Sequence, residues 1–298
     1  MSIVRYQAFV RTVECGSFTK AALQLGYTQS GVSHMINALE DEIGVLLLTR
    51  DRGGVQLTAE GQKLLPYFSE MCSLQHQMEE TVKDLKGLDT GLVRIGTFTS
   101  VSVQWIPFLL KSFGELYPNI EFEILHGDYD EIEGWIASGR VDCGFLRLPA
   151  KRPLDVFSLY QDEWMVILPP GHPMAGLDPF PTQALTECPF IQMDEGTDYE
   201  IEAVFDALQI RPRVQYTAKE DQTILAMVSN GLGISMMPGL MLHHSPYPLV
   251  RRRLERTFQR NIGIALKSLP MASVSTRRFL EHVRQWVQAY EQSVYTGV

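Results

Sequence analysis

The chain lacks most of the features that mark catalysts, membrane proteins and secreted scaffolds. Its four cysteines, Cys15, Cys72, Cys143 and Cys188, lie far apart with no CxxC or Cys/His cluster. That argues against a disulfide framework or a zinc site and leaves buried free thiols as the expectation. No apolar run is long enough to cross a bilayer, and no basic, apolar and small-residue leader opens the sequence, so a cytoplasmic protein without membrane contact is expected. GxSxG, P-loop and HExxH motifs are missing, and Gly231-Leu232-Gly233 lacks the third glycine of a dinucleotide fingerprint. Asp142, Glu163, His243 and His244 offer acid and base groups, but none has a companion at a meaningful spacing. No catalytic residue, metal or cofactor is therefore expected. An excess of positive charge is also missing. A formal net charge of -9 excludes nucleic-acid binding by the electrostatics of the whole chain and confines such a function to a local set of cations. With 298 residues, 45% of them apolar, the chain can bury more than one core, and about two folded units are expected.

What is present is concentrated near the start. Phe18, Ala21, Ala22 and Leu25 fall at helical spacing on one apolar face, and Ser17 is placed to cap the first free amides. Gly26 ends that helix. Thr28 can cap a second one, whose apolar face is Val32, Met35 or Ile36, Leu39 and Ile43. Gln29, Ser30, Ser33, His34 and Asn37 are left on the opposite side, with amide, hydroxyl and imidazole groups suited to base edges and phosphate oxygens. A solvated helix face is polar for no special reason, so the neighbours decide. Upstream, Tyr6, Phe9, Val10 and Val13 make a third apolar stripe. Downstream, Val45 to Leu48 and Val55 to Leu57 read as strands around Arg50-Asp51-Arg52-Gly53-Gly54. The pattern is a winged helix-turn-helix over residues 1–58. Gln29, Ser33 and Asn37 are expected to read bases, with Ser17, Lys20, Thr28, Arg50 and Arg52 holding the backbone. Five cations and five acids balance in this head, so positive charge has to gather near Lys20 and the wing.

With these residues the sequence resembles the LysR-type transcriptional regulators over its whole length. The resemblance is carried by Gly16-Ser17-Phe18-Thr19-Lys20-Ala21-Ala22, Thr28-Gln29-Ser30-Gly31-Val32-Ser33, Leu39-Glu40-Asp41-Glu42-Ile43-Gly44, Leu48-Thr49-Arg50 and Val55-Gln56-Leu57-Thr58-Ala59-Glu60-Gly61. The family often has proline where Ser30 stands and arginine or lysine where His34 stands. Ser30 removes a stiff apolar contact, and His34 replaces a fixed charge with one that titrates. The resemblance implies an α/β protein with an all-α winged helix-turn-helix head and a two-lobed, periplasmic-binding-protein-like C-terminal domain. It implies sequence-specific binding to double-stranded promoter DNA under the control of a small-molecule effector in the interlobe cleft, by a homodimer or homotetramer, with RNA polymerase as a further partner.

Residues 59–86 are nearly free of glycine, with Leu64, Phe68, Met71, Gln75, Met78, Val82 and Leu85 at alternating spacings of four and three. This predicts a dimerising linker helix of roughly 40 Å at about 1.5 Å per residue. Pro66 should kink it or lie in its first turns, and residues 87–91 read as a hinge. Beyond, strands and helices alternate: Val93 to Gly96, a helix from Trp105 to Leu116, Ile120 to Leu125, a helix near Glu131 to Ala137, and Val141 to Leu146. That is a βαβαβ pattern with a parallel sheet. A second unit of the same kind follows, with strands near Trp164 to Leu168, Phe190 to Met193 and Gly233 to Met237. An effector domain of 92–298 is thus expected, its first lobe about 92–162 and 270–298 and its second about 163–269. By the resemblance, the amphipathic helix from Ser273 to Tyr290 returns to the first lobe.

Open parallel sheets bind small molecules at the carboxyl ends of their strands. The candidates there are Thr97, Thr99, Ser100 and Ser102 after the first strand, His126 after the second and Arg147 after the third, with Thr197 from the second lobe. Asp194 and Glu195 sit beside Thr197 and either face solvent or select a ligand with a cationic group. Each hydroxyl can equally be a helix cap and Arg147 a surface salt bridge. Arg251-Arg252-Arg253 reads as a solvated strand edge. The rival reading is a small-molecule binding module whose helical head mediates protein contacts. An α/β enzyme with a dimerising head is a weaker one, since no residue set for turnover is visible.

Overall fold

The computed structural model describes residues 2–51, 54–85, 90–194, 200–243 and 245–296. The head opens with three helices, α1 (Ile3–Cys15), α2 (Phe18–Leu25) and α3 (Gln29–Ile43), followed by the hairpin β1 (Leu48–Asp51) and β2 (Gly54–Leu57). Ser17 caps α2 by accepting from the Lys20 amide, and Thr28 caps α3 by accepting from the Gly31 amide at 3.1 Å. Gly26 closes α2 with a φ of 71°, a left-handed conformation that glycine adopts without steric cost and that turns the chain sharply into α3. Phe9, Phe18, Ala22, Val32, Ile36, Leu39 and Leu47 form the core, so Ile36 rather than Met35 fills the inner face of α3. The first strand of the hairpin lies further along than the alternation predicts, while the second stands where it was expected. Arg50 and Asp51 are within β1, opposite Val55 and Gly54, rather than at its tip. Arg52 and Gly53, the expected tip, lie outside the described residues.

A single helix, α4 (Ala59–Leu85), carries the chain out of the head with Pro66 inside it. Gly61 passes so close to the wing that a Cβ there would collide with the Leu47 carbonyl. The seam expected along α4 is displaced. Leu64 and Phe68 are used by the head, where Phe68 stacks on Tyr6 at 4.8 Å, and Gln75 bonds Glu79 on the same helix. The exposed apolar stripe consists instead of Tyr67, Met71, Leu74, Met78 and Val82. The side chain of Leu85 is not described. The seam is displaced because the first turns of α4 must complete the head's core, which claims one face before the free stripe begins.

The remaining chain runs β3 (Gly91–Thr97), α5 (Thr99–Gln104), α6 (Ile106–Leu116), β4 (Ile120–His126), α7 (Tyr129–Ser138), β5 (Cys143–Leu148), β6 (Asp155–Leu168), α8 (Ala184–Glu187), β7 (Pro189–Met193), α9 (Glu200–Leu208), β8 (Arg213–Ala218), α10 (Asp221–Ser229), β9 (Ser235–Pro238), α11 (Gly239–Leu242), β10 (Val250–Arg253), β11 (Gln259–Leu266) and α12 (Val274–Thr296). Residue 86 of the expected linker and residues 87–89 of the expected hinge lie outside the described residues, and Gly91 is already paired with Ile120 in the sheet. As expected, β3 runs parallel to β4 and β5. The helix expected around Trp105 to Leu116 is α6, and fully buried Trp105, edge-on to Phe145, Tyr160, Trp286 and Tyr290, separates it from α5.

The second lobe is not a repeat of the first. Strands β7 and β8 are parallel, but β9 and β10 both run antiparallel to β6. The 14-residue β6 passes through both lobes beside β11, which also pairs with β5. Ile262, Ile264, Ala265 and Leu266 are buried in the first-lobe core with Phe279, Val283 and Val287 of α12, so the chain returns to that lobe at β11 and not at residue 270. Alternation alone misses β8, β10 and β11, whose residues follow polar or proline-rich stretches.

Candidate functional site

Two regions qualify. On the outer face of α3, Gln29, Ser30, His34 and Asn37 are exposed and Ser33 half-buried, while Val32, Ile36 and Leu39 lock the opposite face into the core. Gln29, Ser33 and Asn37 follow one another at every fourth position, so they share one line along the helix. Thr28 Oγ1 lies 3.1 Å from Ser30 Oγ while capping the helix. Ser17 is half-buried and Lys20 exposed on α2 beside this face. The wing is held to α3 by Glu40, whose Oε1 accepts from the amides of Leu47 at 2.6 Å and Leu48 at 3.0 Å. Thr58 donates to the Leu46 carbonyl at 2.7 Å, fixing the other side. The Arg50 side chain and all of Arg52 are outside the described residues.

The second region lies between the lobes. Thr99, first in α5, places its hydroxyl 3.2 Å from His126 Nε2 at the end of β4. Ser102 is half-buried one turn on, whereas Thr97 is fully buried in the sheet and presents nothing to the cleft. Ser100 is buried too, and its Oγ accepts from Arg260 at 2.7 Å. Arg147 does meet an acid, but one from the chain itself: its Nε lies 3.1 Å from Glu200 Oε1 at the start of α9, and its guanidinium covers the Tyr129 ring. Thr197 and Glu195 lie outside the described residues.

Sequence reasoning missed the centre of this region. Arg260 of β11 donates through Nε and Nη2 to Asp162 Oδ2 of β6 at 2.9 and 2.8 Å, and through Nη1 to the Tyr129 hydroxyl at 3.0 Å. Glu200 Oε2 stands 3.9 Å away, and the Phe98 ring lies under the guanidinium. Asp162 Oδ1 accepts from the Leu240 amide at 2.8 Å. Burial alone would lower the pKa of Arg260, but Tyr129, Asp162 and Glu200 outweigh it and raise it, so the buried cation persists at any working pH. Burial also pushes the Tyr129 hydroxyl up, keeping it neutral. Burial raises the pKa of Asp221, first residue of α10, against the opposing pull of Thr99 and Arg260. Arg260 stands between Gln259 and Asn261 at the polar start of β11, so no local pattern in the sequence marks it.

Of the acid and base groups singled out from sequence, His244 lies outside the described residues, and Asp142, Glu163 and His243 are not brought together. Asp142 Oδ2 accepts from the Arg94 amide at 2.7 Å, Glu163 meets Arg253, and His243 Nδ1 lies 2.6 Å from the Tyr290 hydroxyl. A cavity of about 780 Å³ lies between α1, α4 and α7, away from both regions. Its arginines already face carboxylates, Arg11 and Arg140 on Glu14 and Arg94 on Glu123. The described residues contain no group of three or more His, Cys, Asp or Glu able to hold a metal. None of the described helices is long and apolar enough to cross a membrane.

A polar helix presented beside a wing, joined by a long helix to two lobes that close on a charged cleft, defines a DNA-binding regulator with a small-molecule-binding domain. Residues 3–62 match the model for the bacterial regulatory helix-turn-helix proteins of the lysR family, and residues 86–288 match the LysR substrate binding domain. The chain therefore belongs to the LysR family of transcriptional regulators, and not to a family of enzymes. It is 33% identical over 287 residues to the probable HTH-type transcriptional regulator LrrA of Synechococcus elongatus, covering 96% of this chain and 97% of that one. It is 30% identical over 288 residues to the uncharacterized regulator YvbU of Bacillus subtilis, covering 96% and 98%. In fold it resembles a full-length OxyR variant from Pseudomonas aeruginosa, with a TM-score of 0.76 at 21% identity over 97% of this chain and 95% of that one. Full-length CbnR, solved with its target DNA, gives 0.67 at 21% identity over 96% and 99%.

Proposed function

We propose that Gln29, Ser33 and Asn37, flanked by Ser30 and His34, read base edges in the major groove, while Ser17, Lys20, Thr28, Arg50 and Arg52 grip phosphates. The observation that carries this reading is the split character of α3: Val32, Ile36 and Leu39 of its inner face are buried, and the outer face is polar and short-chained. Two heads are yoked by the apolar stripe of α4, since Met71, Met78 and Val82 with Tyr67 and Leu74 need a cover that a second copy supplies. Dimers pair further into tetramers through the C-terminal lobes.

In this reading residues 1–58 form the DNA-binding unit, 59–86 the linker and 92–298 the effector domain. A cytoplasmic small molecule enters between the lobes near Thr99, Ser102, His126, Arg147 and Thr197. Ser100 acts through Arg260. Thr97, fully buried, is dropped from the contact set. Binding changes lobe closure, and with it the spacing of the heads and the bend in the promoter that RNA polymerase meets. The test is fluorescence anisotropy of the full chain on its own upstream DNA across a salt series. Affinity should fall log-linearly with salt, and Lys20→Gln should flatten the slope by about 1. A slope of zero overturns the phosphate contacts.

A further inference from the structure

A second cavity, of about 220 Å³, lies where α4 meets the first lobe. Much of its wall is apolar: Leu74 of α4, Ile136 of α7 with Val141 just after it, and Leu266, Met271 and Ala272 from the end of β11 and the loop that follows. Gly139 closes one side, since a Cβ there would collide with the Ser73 side chain of α4. An apolar space of about 150 Å³ is enough to hold a benzene ring. This cavity therefore has room for one ring with a short substituent or a fused second ring.

The charged residues around it are already engaged. Lys267 Nζ lies 2.7 Å from Glu70 Oε1, and Asp142 Oδ2 accepts from the Arg94 amide at 2.7 Å. The buried Ser273 and Thr276 hydroxyls stand 2.9 Å apart and bond to each other. An ion entering here would leave water without meeting a free counter-charge, which disfavours charged ligands. Gln77 is different. It lines the same cavity from α4, its Nε2 donates to Ser73 Oγ at 3.3 Å, and its Oε1 is buried with no hydrogen-bond partner. A buried amide oxygen without a donor is costly, and an incoming N–H or O–H relieves that cost.

We infer that this cavity binds a neutral, ring-sized molecule carrying a hydrogen-bond donor, and that Gln77 is the residue that accepts from it. Aromatic alcohols and heteroaromatic N–H compounds are the chemical class that fits. Such a molecule touches α4, which leads from the head, and the first lobe at once. The inference is independent of what the cleft between the lobes receives.

The experiment uses the full-length protein, with indole and benzyl alcohol as probes and benzoate and benzylamine as charged molecules of similar size. Thermal shift is the screen and calorimetry the measure. Indole or benzyl alcohol should raise the midpoint increasingly with concentration, while neither ion does. Gln77→Leu should weaken the neutral probe by roughly three- to tenfold, the worth of one hydrogen bond. Ser268→Trp and Met271→Trp both fill the cavity from the loop between β11 and α12, and each should abolish binding; two such variants keep the test open if one misfolds. Ser102→Trp, which obstructs the interlobe cleft instead, should leave the affinity as it is. No binding of either neutral probe, equal binding of the charged ones, unchanged affinity in Gln77→Leu, or binding that survives in the filled variants each overturns the inference. Binding lost in Ser102→Trp but kept in the filled variants would place the probe in the cleft and overturn it equally.

Discussion

The DNA-facing head and the interlobe cleft handle polar groups in opposite ways. On α3 the polar side chains stand outward on a helix that is stable without them, because Val32, Ile36 and Leu39 anchor its other side. In the cleft the polar groups are inside, and Arg260, Asp162 and Glu200 are each less than a tenth exposed. The outward set can change with little cost to the fold and so is free to specify a target. The inward set is committed to holding lobe against lobe, and little of it can change without structural penalty.

That contrast can be broken most severely at Arg260. Arg260→Met leaves Asp162 and Glu200 buried without their cation, and a loss of about 3–5 kcal/mol is expected from urea unfolding of the full chain. A loss below about 1 kcal/mol would place the cluster among screened surface pairs and erase the distinction. Next comes Gln29→Ala, expected to cost about 1–3 kcal/mol of DNA discrimination with an unchanged melting temperature. A drop in melting temperature instead would show that this residue supports the fold. Thr28→Ala tests the boundary between the two kinds of group, since Thr28 is exposed yet caps α3. It should lower the head's stability by about 1 kcal/mol, read as faster amide exchange in α3.

The subtlest test concerns sign. The pKa of Asp221 is raised chiefly by burial, so the fold favours its protonated form. Its contribution to stability is greatest below the ordinary aspartate pKa and is lost as pH rises through the raised value. At neutral pH Asp221→Asn should therefore melt above the parent, with the gap closing as pH falls into the acid range. A variant that melts lower at neutral pH would mean that the carboxylate is well compensated.

How much was legible in the sequence follows the same line. Gln29, Ser33 and Asn37 sit within nine positions, and the periodicity that makes them a face is local, so the head can be read from spacing and caps. The alternation after residue 92 yields the parallel strands β3, β4 and β5 but not the long β6, because a strand shared by two lobes has no sequence signature of its own. Arg260 and Asp162 are 98 positions apart, and nothing short of the paired β6 and β11 brings them together. The linker lies between these cases. Heptad spacing finds Met71, Met78 and Val82 on the free apolar line, while Leu64 and Phe68 are claimed by the head, a demand visible only once that core is assembled.

Glu40 binds the wing's first strand to the recognition helix through two short bonds from one oxygen. On the proposed reading, in which α3 reads the groove and the wing grips phosphates, the two are thereby joined as a single tool. On that reading regulation would act through the distance and tilt between whole heads, so a ligand would alter which pairs of half-sites are gripped together and leave the letters recognised by each head as they were.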